Sequence, residues 1–173
     1  LFVTERRTGP GGEDIGFVGD VVEVRPAVVL KLLDDGFIPV IAPLGISAEG
    51  EVHNINADTA AGAIATALAA EKLVYLTDVP GLYEDLGDED SLLSEVSLDE
   101  LRAMMEGRKL SEGMLPKIAS CVRALEGGVA RAHILDGRVE HAVLLEVFTP
   151  EGIGTMARAP GSPTEKEFRS LGK

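Results

Sequence analysis

The sequence predicts an α/β fold with a largely parallel sheet, on three observations. Short apolar runs at residues 37–42, 73–77 and 131–135 have strand length. Segments of helical periodicity lie between them, and glycine, proline and capping residues punctuate the changes of period. Strands alternating with helices pack as an α/β sandwich.

Leu1-Phe2-Val3-Thr4 reads as a strand entered without a turn or cap, so further residues are expected upstream. Residues 5–13 are charged and rich in Gly and Pro, as a loop or hairpin tip is. Residues 14–21 return as strand and turn. Pro26 opens a helix with Val28, Val29, Leu32 and Leu33 on one face and Gly36 as its stop. The continuous apolar run 37–42 predicts a buried strand, although Pro39 argues against a central place in its ladder.

Residues 45–53 alternate around Glu49-Gly50, which suggests a hairpin, and Asp58 or Thr59 starts an Ala-rich buried helix. Residues 73–77 form a second buried strand, and 78–91 an acidic loop. Ser97-Leu98-Asp99-Glu100 is a capping box opening a helix that runs to Gly107. A further helix over 116–125 ends at Gly127-Gly128. A third strand over 131–135 turns at Asp136-Gly137; 139–147 looks helical, 154–157 is a last short strand, and 160–173 is a polar tail expected to be mobile.

Length and charge bound the function. A chain of 173 residues holds one large domain, or a domain plus part of another. The net charge of −13 repels nucleic acid and anionic membranes, so neither is expected as a partner. No apolar run reaches the ~18 residues of a membrane span. Cys121 stands alone, which rules out an internal disulfide and fits a reducing cytoplasm. An anionic nucleotide would need lysine, backbone N–H groups and Mg²⁺ gathered locally.

Two segments carry chemistry. In Asn54-Ile55-Asn56-Ala57-Asp58, the two amides and the carboxylate share one parity, beside a helix N-terminus that favours anions. The same residues also suit an ordinary turn with Asp58 as N-cap. In Gly113-Met114-Leu115-Pro116-Lys117, a lysine falls just inside a predicted helix, where a cation is misplaced unless an anion shares the site. A solvated surface lysine is the plainer alternative.

Thr77-Asp78-Val79-Pro80-Gly81-Leu82-Tyr83 follows a predicted buried strand, at the edge where open α/β sheets bind ligands. It is equally compatible with a simple turn. His133 lies within a predicted strand as a hydrogen-bonded core residue, and Cys121 packs. The sequence holds no Walker loop, no dinucleotide fingerprint after a strand, no Ser-His-Asp arrangement and no metal cluster.

The motifs in order resemble the N-acetylglutamate kinases of the amino-acid kinase superfamily, in an actinobacterial variant. They are Asp14 to Val21, Val52 to Ala61, Leu76 to Gly81, Gly113 to Lys117, Ala132 to Arg138, and Leu144 to Met156. The resemblance implies an amino-acid (carbamate) kinase-like three-layer sandwich. Residues 1–56 would end an N-terminal substrate and dimerisation lobe, 57–159 would form the nucleotide lobe, and 160–173 a tail.

It implies ATP- and Mg²⁺-dependent phosphorylation of N-acetyl-L-glutamate in arginine biosynthesis, in a cytoplasmic homo-oligomer. Lys117 and Asp58 would be catalytic, and Asn54 and Asn56 would bind substrate. Thr77, Asp78, Val79, Pro80, Gly81, Leu82, Tyr83, Lys109, Leu110, Ser111 and Met114 would border the nucleotide. His133, Glu146 and Gly152 would bind arginine as inhibitor. The family's first lobe carries a second catalytic lysine and glycine-rich loops that this chain does not contain, so the chain alone is expected to be inert. The rivals are an acyl-phosphate kinase acting on aminoadipate, glutamate or aspartate, and a non-catalytic module with a kinase-like fold.

Overall fold

Phe2–Thr8 (β1) and Asp14–Val24 (β2) pair as an antiparallel hairpin. The strands run further into the charged stretch than predicted, because those charges pair across the hairpin rather than coat a loop. Arg6 Nη2 donates to both carboxylate oxygens of Asp14, at 2.9 and 3.0 Å, and its guanidinium sits 5.3 Å from the centre of the Phe17 ring. The computed structural model describes residues 1–85, 87–107, 113–149 and 152–162. The chain divides into two units, Leu1–Ala69 and Ala70–Lys173.

In the first unit, helix α1 (Ala27–Asp34) follows Pro26 as predicted. It closes on Gly36, whose φ of +81° suits glycine. Gly36 N–H bonds to Leu33 O and Phe37 N–H to Leu32 O, both at 2.9 Å, a Schellman ending. The predicted buried strand at 37–42 is not found: these residues are irregular, and Ile38 and Val40 are 91% and 98% exposed. An apolar run becomes a buried strand only where neighbouring strands exist to pair it, and none of the described strands does.

Leu44–Ile46 (β3) and Val52–Asn54 (β4) form the predicted hairpin, its turn fixed by Ser47 Oγ accepting the Glu49 and Glu51 N–H groups at 3.2 Å. Parallel pairing of β1 with β3 and of β2 with β4 closes the four strands into a small barrel. Thr4, Gly19, Gly45 and His53, one residue from each strand, meet at close quarters within it. His53 is fully buried, with Nδ1 3.0 Å from Thr4 Oγ1. A Cβ on Gly19 would fall 2.6 Å from the His53 Cβ, and one on Gly45 would fall 2.3 Å from Thr4 Cγ2. Helix α2 (Ala57–Ala67) adds Ala60 to a core with Phe2 and Ile55.

The second unit is a mixed sheet with helices. It contains β5 (Lys72–Thr77), the paired short strands β6 (Leu82–Tyr83) and β7 (Leu92–Leu93), and β8 (Glu95–Ser97). Helices α3 (Leu98–Glu106) and α4 (Leu115–Glu126) follow, then β9 (Arg131–Asp136), α5 (Ala142–Phe148) and β10 (Thr155–Arg158). Strand order is β5-β9-β10-β8, with β5/β9 and β10/β8 parallel and β9/β10 antiparallel.

The Ser97 capping box forms as predicted, with Ser97 N–H donating to Glu100 Oε2 at 2.6 Å. Strands β6 to β8 were not foreseen. Helix α5 starts three residues later than predicted, after His141 at φ +60°. Most of the tail, residues 163–173, lies outside the described residues.

Gly45→Ala is expected to destabilise the first unit by about 1–3 kcal/mol, since the neighbouring strands leave no room for a methyl group. Urea unfolding of the 173-residue chain measures it; a change within error would show that the barrel relaxes freely.

Candidate functional site

Strand β4 sets out the amides by simple alternation. His53 and Ile55 are buried at 0% and 2% exposure, so Asn54 and Asn56 face outward, as their shared parity predicts. Asn54 lies between Val18 of β2 and Leu44 of β3. Asn56 caps α2, its Oδ1 accepting the Thr59 N–H at 3.0 Å. The cap therefore falls to Asn56 rather than Asp58, and the Asn56 amide nitrogen remains to donate to a ligand. Asp58 sits in the first helical turn, half-buried.

In the second unit, the parallel strands β5 and β9 end together, with Thr77 opposite Asp136. Thr77 Oγ1 accepts the Val79 N–H at 2.9 Å, and Thr77 O accepts the Gly137 N–H at 2.8 Å. These bonds fix the start of the segment 77–83 at the carboxyl edge of the sheet. Asp78 is exposed, Val79, Pro80 and Tyr83 are half-buried, and Gly81 and Leu82 are buried. The close approach that Gly81 permits is to β10: a Cβ there would lie 2.4 Å from Thr155 Oγ1. That hydroxyl accepts the Leu82 N–H at 2.8 Å and donates to Leu93 O at 2.6 Å, joining β6 and β7 to the main sheet.

Arg138, to which the sequence reading gave no role, stands at the same edge. It grips Asp136 through Nε and Nη2 at 2.8 and 2.7 Å, and this pairing holds the Asp136 carboxyl at about 2. Asp78 lies near enough to favour the charged Arg138. Its place at the end of the motif Ala132 to Arg138, just beyond Asp136-Gly137, was the signal for it in the sequence.

Helix α4 begins as predicted: Met114 is its N-cap residue, Pro116 lies in the first turn, and Lys117 is the third helical residue, half-buried. Its register against the sheet is pinned by Tyr75 Oη and Ser120 Oγ, 2.7 Å apart and buried. Lys117 precedes Ser120 by three residues, so the two lie on the same side of α4. Lys109, Leu110 and Ser111 lie outside the described residues.

His133, Glu146 and Gly152 do come together. His133 Nδ1 is 2.7 Å from Glu146 Oε1, and both side chains are 6% exposed. Glu146 Oε2 accepts the Ile153 and Gly154 N–H groups at 2.8 and 3.1 Å. Gly152 has φ +65°, and a Cβ there would lie 2.7 Å from Glu146 Oε2. Burial raises the Glu146 carboxyl, but the bonds from His133, Ile153 and Gly154 outweigh it and hold the group below its ordinary value. His133 Nε2 is buried without a hydrogen-bond partner among the described residues. Among those residues no group of three or more His, Cys, Asp or Glu could hold a metal ion, and no helix is long and apolar enough to cross a membrane.

The chain belongs to the Amino acid kinase family, which it matches over residues 2–136. Within that family it is 57% identical over 143 residues to the acetylglutamate kinase of Heliobacterium modesticaldum, covering 83% of this chain and 48% of that protein. It is 54% identical over 165 residues to that of Saccharopolyspora erythraea, covering 94% and 54% respectively. The chain spans about half the length of the curated relatives it matches.

Among solved structures, it resembles N-acetylglutamate synthase from Neisseria gonorrhoeae complexed with coenzyme A and N-acetyl-glutamate. The TM-score is 0.84 at 32% identity, over 92% of this chain and 37% of that one. Carbamate kinase from Giardia lamblia bound to AMP-PNP shares the fold, with a TM-score of 0.65 at 20% identity over 92% of this chain and 52% of that one. The family resemblance and the kinase-like α/β fold read from the sequence are thus both borne out.

A carboxylate whose folded-state value lies below its unfolded one adds stability above the unfolded value and loses it as pH falls through the folded one. Stability of the chain is therefore expected to drop on acidification below pH 4.5, the ordinary value for Glu146, as this group protonates. Glu146→Gln should be less stable at neutral pH by about 1–3 kcal/mol and show a shallower acid limb. Denaturant titrations from neutral to acid pH measure both, and an unchanged limb in the variant would remove Glu146 as the cause.

Proposed function

We propose that this chain forms part of an acetylglutamate kinase: ATP and N-acetyl-L-glutamate give ADP and N-acetyl-L-glutamyl 5-phosphate, a step of arginine biosynthesis in the cytoplasm. The observation that carries the reading is Lys117. A half-buried ammonium three residues into α4 sits at the positive end of a helix, a position that makes physical sense beside an anion. Identity of 57% and 54% to relatives named acetylglutamate kinase supports the choice of substrate over aminoadipate, glutamate or aspartate.

The donor set suits a nucleotide. The loop 77–83 and the Arg138 guanidinium lie at the carboxyl edge of the β5/β9 pair, and the N–H groups that open α4 are a further set of donors in the same unit. In this reading Lys109, Leu110 and Ser111 border the nucleotide as well. ATP would supply the phosphoryl group, with Mg²⁺ held chiefly by its phosphates.

In this reading Lys117 stabilises charge on the transferring group, Asp58 is a further catalytic residue, and Asn54 and Asn56 hold the acetylglutamate. Phosphoryl transfer asks little more of a protein than positioning and neutralisation of oxygens. His133, Glu146 and Gly152 form an arginine-responsive cluster. The intact protein is a homo-oligomer.

Lys117→Ala in the intact enzyme should lower kcat on the order of 100-fold, the ~3 kcal/mol worth of one preorganised electrostatic contact. Steady-state acyl-phosphate formation tests this; a loss under about threefold takes the lysine out of the mechanism. In the same assay the 173-residue chain alone should form no product, and robust turnover would refute its dependence on further residues. Separately, arginine at millimolar concentration should slow the intact enzyme severalfold. Equal rates with and without it would reject regulation through the Glu146 cluster.

A further inference from the structure

A cavity of about 530 Å³ lies in the second unit, built on β8 and α3. Leu93, Val96 and Met104 give it an apolar lining, and Glu84, Glu95 and Glu100 add three carboxylates. No lysine or arginine joins them among the described residues that line it. The nearest cation is Arg158, the last residue of β10. Its Nε donates to Glu95 Oε1 at 2.6 Å, and it lies near enough to favour the charged Glu100. One guanidinium beside three carboxylates leaves the rim negative. Strand β8 is also the edge strand of its sheet, and proteins commonly cover such an edge with a loop or helix.

The path of the chain leads to this place. Strand β10 runs parallel to β8, with Arg158 opposite Ser97. Just beyond it the chain turns about Pro160-Gly161: Ser162 N–H bonds to Ala159 O at 3.1 Å, and Gly161 has φ +77°, as a type II turn requires. Residues 163–173 follow, a length that spans up to roughly 35 Å when extended. We propose that residues 163–173 dock in this cavity of their own molecule. Phe168 and Leu171 supply the apolar contact, and Lys166, Arg169 and Lys173 answer the carboxylates.

Two features select that occupant. An apolar floor with a charged rim takes a segment that carries both kinds of group. In a chain of net charge −13, this segment sets three cations against Glu165 and Glu167 and brings two large apolar side chains with them. A second copy of the whole chain would bring a surface of the same sign as the rim, and the two would repel. The inference rests on the cavity, the turn and the sequence beyond it, and is independent of the proposed reaction.

Hydrogen exchange on the 173-residue chain tests the docking without any measure of turnover. Amides of residues 95–104 are expected to exchange at least about threefold faster in Phe168→Ser and in Arg169→Glu than in the unaltered chain. Ala103→Lys puts bulk and positive charge at an exposed position in the cavity lining, and should release the same amides. The two tail substitutions fall in no described element, so they keep the test decisive if Ala103→Lys folds poorly. Unchanged exchange at 95–104 in both tail variants overturns the inference. So does a loss of protection spread evenly over the second unit, which would make the tail a general stabiliser without a site. Protection that rises with chain concentration would put the tail of a second copy in the cavity, and likewise overturns it.

Discussion

The first unit is organised around a histidine without access to water. His53 fills a barrel of four strands, hydrogen-bonded to Thr4 across 49 positions of sequence, and glycines at 19 and 45 leave the space that it and Thr4 need. Burying a polar ring costs stability unless it is hydrogen-bonded, so the Thr4 contact makes this packing specific rather than merely dense. The consequence for the site is direct. With His53 and Ile55 fixed inward, Asn54 and Asn56 have one orientation open to them, and α2 starts where the Asn56 cap puts it. A slip of one residue in β4 would put His53 outside and Asn54 in the core.

The second unit reaches the same end by different means. Its organising contacts are two hydroxyls: Ser120, which joins α4 to β5 through Tyr75, and Thr155, which joins the loop after β5 to β7 and β10. Both are buried or nearly so, where a satisfied hydrogen bond is most directional and a lost one most costly. They set the height of Lys117 along β5 and the path of residues 77–83 past the strand end. A carboxylate does similar work elsewhere: Glu146 gathers two loop N–H groups and a buried imidazole, which ties β9, α5 and the turn before β10 together.

The sequence was most readable where structure is local. The Ser97 capping box, the Pro26 start and Gly36 stop of α1, the helix over 115–126 and the hairpin at Glu49-Gly50 each follow from signals within a few residues. The outward parity of Asn54 and Asn56 was legible for the same reason. Long-range features were not. Strands β7 and β8 are two and three residues long and exist because β6 and β10 pair with them, which no window around Leu92 or Val96 reveals. The Thr4–His53 contact and the position of Arg138 leave no periodic trace. The His133–Glu146 pair spans 13 residues and two element types, so resemblance alone had joined them. Residues 37–42 failed in the opposite direction: the run was read as buried because burial was assumed to travel with composition, whereas it depends on a partner.

Charge poses the remaining physical problem. For the proposed function, a chain of net charge −13 must create attraction for anions locally, against its own field. Its surface guanidinium groups do little for that purpose at long range. Arg6, Arg7, Arg25, Arg102, Arg138 and Arg158 each pair with a neighbouring carboxylate. Screening at physiological salt confines what is left to about 8 Å. Binding of an anion to either unit would then rest on groups that act at contact range: in the first, the N–H groups opening α2 and the Asn54 amide; in the second, those opening α4 and the Lys117 ammonium. Such groups are selective because they are short-ranged. They engage an anion only when its oxygens fit the donors, and the surrounding negative surface turns away polyanions that do not. The acidity that at first argues against an anion site is therefore compatible with one that must discriminate, provided its donors are held as rigidly as Thr4 and His53 hold the elements of the first unit and Tyr75 and Ser120 those of the second.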